Sequence, residues 1–483
     1  MIERATSTRP SAPSDAGLAG AGARSVVAIV LVLSALTILG VMLAEFQDET
    51  SAELGAALSQ RDSLKAEYAA KSSVNLARLL IASEPTIRKA LAPLFLLTKQ
   101  APPQIPVWEF ADQVLGAFND SDGNEAFLNL AGVNIAEGKN LGLEGAGFQV
   151  KVVDEDAKVN VNTPARGDAF SQARLAAQLI GLLSGPQYDP LFANRDADGQ
   201  FSDRQAICGA IIDWADPDQE GYVCDPHSGS AQAAGAEDSY YQLLKKPYPR
   251  KNSAFDSLQE LHLVRGVGED FWSTFVDPDP SHPEKRVMTV WGQGKINVNT
   301  ANPQTVLAIV CGAAVPGTPL CTDPAEAAKF LSVFDLVKSF TAGAPLFGSP
   351  KAFINALKGK GMFGAALASL DMKPIQLLSE TETIKAVATE SLVFSIYATG
   401  YVKAGKRETS VRVHAVVDFR GAPPPGMAPG AASAISAALA GAAAGAGAQT
   451  TPASDLPEGA TEATIAAAFQ PNPGGNIIYY RVD

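Results

Sequence analysis

The stretch "NRDADGQFSD", from Asn194 to Asp203, holds the residues best suited to chemistry. Asn194, Asp196 and Asp198 alternate as the first, third and fifth ligands of a calcium loop do. Gly199 supplies the sharp turn at the sixth place, Gln200 offers a carbonyl at the seventh, and Phe201 is the apolar eighth. A hard cation needs several oxygens converging on one point, and alternate oxygen-bearing side chains on a curled loop deliver them. The twelfth place is Gln205 instead of a bidentate glutamate, which leaves Asp203 to complete the shell. An acidic surface turn is the plainer reading of the same residues. A second oxygen-rich cluster follows in "DWADPD" and "GAEDSYY". There Asp213, Asp216, Asp218, Glu237 and Asp238 either meet across one loop to hold a cation or simply cap two helices.

Other chemistries find little to use. There is no HExxH and no GxSxG, and no nucleophile pairs with any of the four histidines at a readable spacing, so no active site is expected. The four cysteines, Cys208, Cys224, Cys311 and Cys321, form no CxxC pair. They allow three connectivities, of which the sequential one (Cys208 with Cys224, Cys311 with Cys321) closes two short loops and is preferred. "GYVKAGKR" comes near a P-loop, but Arg407 stands where the magnesium-binding hydroxyl belongs, and alternating strands flank it. "LHLVRGVGEDF" has the Gly-hydrophobic-Gly turn of a helix-hairpin-helix, yet Glu269 and Asp270 follow it and would repel phosphate. A formal net charge of -13 argues the same way, and no nucleic-acid partner is expected.

The elements that position these residues begin with "SVVAIVLVLSALTILGVMLA", Ser25 to Ala44, which contains no charge. At about 1.5 Å per residue it is as long as a bilayer core is thick, about 30 Å, and longer than the apolar part of a cleaved signal. Arg4, Arg9 and Arg24 precede it while Glu45, Asp48 and Glu49 follow, so the positive-inside bias places the first residues in the cytoplasm and the bulk outside. A helical apolar stripe continues through Leu54, Leu58, Leu64, Tyr68, Leu76, Leu79 and Leu80, with Pro85 and Pro93 marking its end or kinks. Val150 and Val152 against Val159 and Val161 predict a hairpin around the acidic turn Asp154–Asp156. "SLVFSIYATGYVK" and "ETSVRVHAVVDF" predict a stronger one, and "NIIYYRVD" a last strand returning to the same sheet. Between these strands lies a mostly helical block. The stretch from Gly421 to about Pro473 is Ala/Gly/Pro-rich and reads as a flexible tether.

In this order the motifs "EYAAKSSVNLARLLI", "KVNVNTPA", "AIIDWADPD", "GAEDSYY", "NSAFDSLQELHLVRGVG" and "KINVNTAN" resemble the type II secretion minor pseudopilins of the K type. The resemblance runs from about Arg24 to Asp483, omitting the tether. It implies an α+β fold: a long N-terminal transmembrane and amphipathic helix, then an antiparallel pseudopilin sheet interrupted by a large, mainly α-helical domain of helix-hairpin-helix or SAM-like type. The boundaries expected are a cytoplasmic leader at 1–25, the long helix at 26–100, the opening section of the sheet at 101–164 and the insertion at 165–380. The β-hairpin at 381–420, the tether at 421–473 and the final strand at 474–483 complete the chain. The resemblance further implies a non-enzymatic role capping and initiating a periplasmic pseudopilus, with bound calcium. The implied partners are the I- and J-type minor pseudopilins, the major pseudopilin, the inner-membrane assembly platform and the prepilin peptidase. Aligned on "RSVV", the peptidase would cut between Ser25 and Val26, with Gly22 and Ala23 as alternatives. Family members mostly carry glutamate at mature position 5, where this chain has Val30. Each "NVNT" is expected to end a strand and cap the helix that follows. A membrane-tethered DNA-uptake or type IV pilus-like component is the alternative, suggested by "INVNTA" and the Gly-Val-Gly turn.

Overall fold

A computed structural model describes residues 16–95, 102–119, 141–193, 201–225, 233–236, 239–340, 344–405, 407–423 and 472–483. Two compact units divide the chain, Met1–Leu64 and Lys65–Asp483. The first helix, α1 (Ala16–Phe95), contributes to both, and Pro85 and Pro93 lie inside it; the short α2 (Ala111–Gly116) follows. In the first unit Val26, Ile29, Leu33, Leu36, Leu39 and Leu43 are all exposed, so the helix is apolar all round. Its most apolar window has a mean hydropathy of 2.9, and it is long and apolar enough to cross a membrane.

In the second unit α1 turns an alanine-rich stripe inward: Ala66, Ala69, Ala70, Val74, Ala77 and Ile81 are buried. The stripe covers one face of a four-stranded antiparallel sheet. Strand β1 (Ala146–Asp154) supplies Phe148, Val150 and Val152 to that interface. Beyond it the described chain forms β2 (Val159–Asn160), β3 (Glu220–Tyr222), β4 (Ala233–Ala236), β5 (Met288–Thr289), β6 (Ile296–Asn297) and β7 (Val387–Ala388). The long strands β8 (Val393–Ala404) and β9 (Arg407–Asp418) follow, then β10 (Asn476–Val482). The sheet order is β1-β8-β9-β10, so β10 does return to the edge of the sheet. Gly400 marks how closely helix and sheet approach, since a Cβ there would lie 1.9 Å from the Ala66 carbonyl oxygen.

The hairpin predicted from Val150, Val152, Val159 and Val161 does not form. β1 pairs with β8, Asp154 opposite Phe394, whereas β2 pairs in parallel with β5. The reason is burial. Asp154, Glu155 and Asp156 are all nearly inaccessible, so the segment read as a solvated turn is an interior crossing from the sheet into the insertion.

The insertion is built from two lobes of one design. In each, an "NVNT" phrase starts on a two-residue strand with a parallel partner: β2 with β5, β6 with β7. Asn160 Oδ1 accepts from Asn162 N at 2.9 Å, and Asn297 Oδ1 accepts from Asn299 N at 3.0 Å. The second asparagine of each phrase then grips a distant backbone. Asn162 accepts from Phe255 N and donates to the Phe255 and Val290 carbonyls. Asn299 accepts from Phe347 N and donates to the Phe347 and Thr389 carbonyls. The phrases therefore pin loops instead of capping helices. Capping falls to Asp168, which accepts from Ser171 N ahead of α3 (Ala169–Leu183), and to Asn302, which accepts from Thr305 N ahead of α5 (Pro303–Ala313). These two helices cross on reciprocal glycines: a Cβ on Gly181 would sit 1.9 Å from Ala308 O, and one on Gly312 would sit 2.0 Å from Ala177 O.

The insertion leaves and rejoins the sheet at one polar hub. Asp156 Oδ2 accepts from Leu392 N (2.8 Å), Val393 N (3.2 Å) and Gln293 Nε2 (2.9 Å), while its Oδ1 accepts from Gln293 N at 2.8 Å. Asp154 Oδ2 takes the Thr300 hydroxyl at 2.5 Å and the Ser391 hydroxyl. Glu155 is ion-paired with Lys158 and hydrogen-bonded to Thr289. Burial, reinforced by the Asp156 charge, pushes the Asp154 carboxyl up to about 7. An acid whose folded pKa lies above its unfolded value holds its proton preferentially in the fold. Its contribution is thus complete below the unfolded pKa near 3.8 and is lost as pH rises through about 7.

Chemical unfolding in chelator should accordingly show stability falling between about pH 4 and 7, and Asp154→Asn should flatten that slope; an unchanged slope would show that Asp154 is ionised throughout. Gly312→Ala should cost about 2–3 kcal/mol by forcing α3 and α5 apart, whereas Gly116→Ala, which meets nothing within 4 Å, should leave the melting temperature in place.

Candidate functional site

Helix α4 (Arg204–Ala215) carries the second acidic cluster on its C-terminal end. Its N-cap is Asp203, whose Oδ1 accepts from Ala206 N at 2.7 Å; that oxygen serves the helix. Asn194, Asp196, Asp198 and Gln200 lie outside the described residues, as do Glu237 and Asp238. Ile207, Cys208, Ile211, Ile212 and Trp214 bury one side of α4 in the core of the insertion. Trp214 is ringed by Tyr241, Tyr248 and Phe255 at centroid distances of 5.7–6.4 Å. Cys208 is bonded to Cys224, tying α4 to the segment after β3, and Cys311 to Cys321, tying α5 to the short helix Pro319–Thr322. Loops of this length are restrained in the unfolded chain by roughly 3 kcal/mol per bond.

The helix thus delivers its acids to a fixed place. Asp216, the C-cap, is fully buried. Gln172 Nε2, on α3, donates to Asp216 Oδ2 at 2.9 Å and to Asp218 Oδ2 at 3.2 Å, so both carboxylates point at one spot. Asp213 Oδ1 accepts from Tyr222 N at 2.7 Å. Arg250 donates to the backbone carbonyls of Asp213 and Asp218. Burial pushes the Asp213 carboxyl up to about 7, and burial together with the Asp218 charge pushes Asp216 up to about 6. These acids are crowded and poorly solvated.

Two buried oxygens of residues in this region are unpartnered, Asp216 Oδ1 and Asn252 Oδ1. Asn252 has φ +49°, a left-handed conformation that costs energy for any residue with a Cβ. Its Nδ2 donates to the Asp218 carbonyl, which holds the amide beside the acids. Nothing in the sequence marked Asn252, which sits in "PRKNSAF", 34 residues beyond Asp218. The only available signal was that asparagine tolerates positive φ. Orphaned acceptors among crowded carboxylates fit a hard, oxygen-seeking cation. Among the described residues alone, no three His, Cys, Asp or Glu side chains converge in metal-ligating geometry.

The acidic turn behind the helix-hairpin-helix expectation is also in view. Gly266 adopts φ +76° and lies against Ser202 and Ile207, while Glu269 and Asp270 open the short helix Glu269–Phe271. Its glycine turn faces protein.

No curated protein matches the chain. In structure the chain is similar to a chain of the GspK-GspI-GspJ complex from the enterotoxigenic Escherichia coli type 2 secretion system. The likeness covers 57% of this chain and 75% of that one, with 15% identity and a TM-score of 0.33. Residues 157–275 match the family described as type II secretion system protein K. That segment holds β2, α3, the disulfide-tied α4 and the Asp213–Asp218 cluster. The match is to a secretion-system component and not to an enzyme family. The matched segment is thus similar to the same family that the motif order resembles.

Proposed function

We propose that the chain is a minor pseudopilin of a type II secretion system that caps and initiates a periplasmic pseudopilus, supporting export of folded proteins across the outer membrane. The observation that carries this reading is the protein K match at 157–275, set behind an N-terminal helix apolar enough to cross a membrane. The charge bias around that helix favours an inner-membrane anchor with the N-terminus in the cytoplasm and the head in the periplasm. Disulfides in the head suit an oxidising compartment.

Two features favour the tip. No acidic residue occurs from Ser25 to Ala44. A carboxylate at mid-bilayer costs about 2.5 kcal/mol or more unless paired, and the topmost subunit has no subunit above it to supply a partner. Val30 in place of glutamate fits that position. The insertion, from β2 to β7, is also too bulky for the interior of a tightly packed shaft. On this reading the neighbours are I- and J-type minor pseudopilins and the major pseudopilin, with the prepilin peptidase and assembly platform acting during maturation.

Calcium belongs to the same proposal. Asp216, Asp218 and Asn252 would hold the ion, with Asp213, Glu237 and Asp238 as further oxygens, and the first loop would use Asn194, Asp196, Asp198 and Gln200. The ion would neutralise crowded carboxylates and lock α4 to the loop of Asn252.

A clean deletion strain should retain its exoproteins in the periplasm and recover export on complementation; undiminished export would refute the role. Protein recovered from complemented cells should begin at or near Val26 on N-terminal sequencing, and a start beyond Ala44 would remove the anchor. Adding chelator to the purified protein should lower its melting temperature, and Asp216→Asn and Asn252→Ala should each shrink that difference; identical melting with and without calcium would overturn the metal assignment.

A further inference from the structure

The C-terminal strand β10 is joined to the fold by few means. Ile477, Ile478, Tyr480 and Val482 are all exposed, and among the described residues no β10 side chain enters a buried apolar cluster. Strand β9 does not need it for its own burial. Val413, Ala415 and Val417 share one core cluster with Phe394 and Ile396 of β8 and with Ala70, Val74 and Ala77 of α1. Asn476 pairs with Asp418, 58 residues earlier. Closing a loop of that length costs entropy, so local contacts must hold the strand.

Those contacts fall at three places. Before the strand, Arg78 Nε donates to the Gly474 carbonyl at 2.8 Å and Arg78 Nη2 to the Gly475 carbonyl at 2.9 Å. In its middle, the Tyr479 ring lies 5.2 Å from His414 of β9 and 5.7 Å from Trp291 of the insertion. At its end, Arg412 and Asp483 exchange both backbone hydrogen bonds, at 2.9 and 2.8 Å. The ladder between is interrupted by a register shift between Ile477 and Tyr479. Main-chain pairing accepts almost any sequence, but two positions here are selective. Gly475 has φ +71°, and a Cβ on it would lie 2.8 Å from Val417 Cγ1 and 3.0 Å from the Asp418 carbonyl oxygen, so conformation and space both demand glycine. Tyr479, four places on, is the one half-buried residue of β10.

Pairing along a sheet edge, with selectivity at alternate side chains, is a general way for sheets to bind extended peptides. We propose that the edge of β9, bounded by Arg78 and by the His414 and Trp291 rings, is a binding site for an extended peptide carrying glycine four residues ahead of an aromatic. The chain's own C-terminal segment fills it in cis as a dissociable ligand, and a free peptide of the same pattern displaces that segment. When filled, the site joins α1, the sheet and the insertion through one strand; when vacated, it leaves the β9 edge open. Nothing in it depends on the secretion reading.

The test titrates the full chain in detergent with a dye-labelled synthetic peptide of residues 472–483, read by fluorescence anisotropy. The unaltered chain should bind weakly, because its tethered strand competes at its own effective concentration. Gly475→Ala together with Tyr479→Ala spoils the cis ligand and leaves the acceptor intact. That chain should bind the unaltered peptide about tenfold or more tightly than the parent chain does. A peptide bearing the same two substitutions should not bind, and adding Arg78→Ala to the chain should cancel the gain. A strand with a merely structural role gives no such gain. Its absence in a variant that still melts cooperatively would overturn the proposal, and so would loss of cooperative melting, which would make β10 integral to the fold. Hydrogen exchange on the unaltered chain supplies a second measure: amides of β10 should exchange well ahead of those of β8, and equal protection in the two strands would also overturn it.

Discussion

β1 and β8 are antiparallel neighbours with Asp154 opposite Phe394, so the whole insertion is in topological terms the loop of one hairpin. A loop of that length gains nothing from its own closure, and its two ends need a local reason to stay together. Asp156 supplies it by accepting from the amides of Leu392 and Val393 on the returning strand, while Asp154 accepts from Ser391 just before them. Backbone amides are the suitable donors here. They are fixed by the strand, and they satisfy a buried carboxylate without importing a second desolvated ion. The one acid of the triplet that does take a cation, Glu155, faces the insertion through Lys158 and Thr289. Sheet and insertion are thereby fastened by neighbouring residues of a single segment.

The same economy of means recurs in the two lobes. Each "NVNT" places one asparagine to set its own turn and a second to clamp a distant chain by both amide atoms. An amide side chain is a donor and an acceptor at once, so it can replace the paired backbone contacts of an extra strand. Two-residue parallel strands are too short to hold by themselves, and the clamps make up the difference. With α3 and α5 then crossing on Gly181 and Gly312, the lobes meet backbone to backbone, at a distance no side chain could occupy. The lobes differ where chemistry was added: the first carries the acids and the disulfide that anchors α4.

Elements governed by local periodicity were legible in the sequence. The alternation in Val393–Ala404 and Arg407–Asp418 forms the long hairpin, the α+β class holds, and the final strand sits on the sheet as expected. What misled was polarity. "DED" has the composition of a solvated turn, and its burial depends on donors from Gln293, Thr300 and Ser391–Val393, which no local window contains. The asparagines of "NVNT" have the composition of caps, and their real partners, near Phe255 and Phe347, are likewise remote. At the candidate site Asp216 and Asp218 were visible from their spacing, but Asn252 joins them only through tertiary structure. Disulfides, short-range by nature here, were closer to the surface of the sequence than any hydrogen bond that crosses the fold.

Helix α1 shows why composition must change along a single continuous element. Isolated helices depend on packing or solvent match for their stability. Through Ser25–Ala44 leucine, valine and isoleucine occur on every side, as a lipid environment requires. From Lys65 onward the buried positions narrow to one stripe, in which Ala66, Ala69 and Ala70 are small enough for Gly400 to rest against the helix backbone. Larger residues on that stripe would lift the sheet away. Polar positions between them do separate work: Arg78 holds the Gly474 and Gly475 carbonyls at the start of β10, and Glu84 accepts from Arg88 and from Ile105 N. The C-terminal strand is thus seated by a helix from the opposite end of the chain. Arg78 thus adds to the hold that its pairing with β9 gives it at the sheet edge.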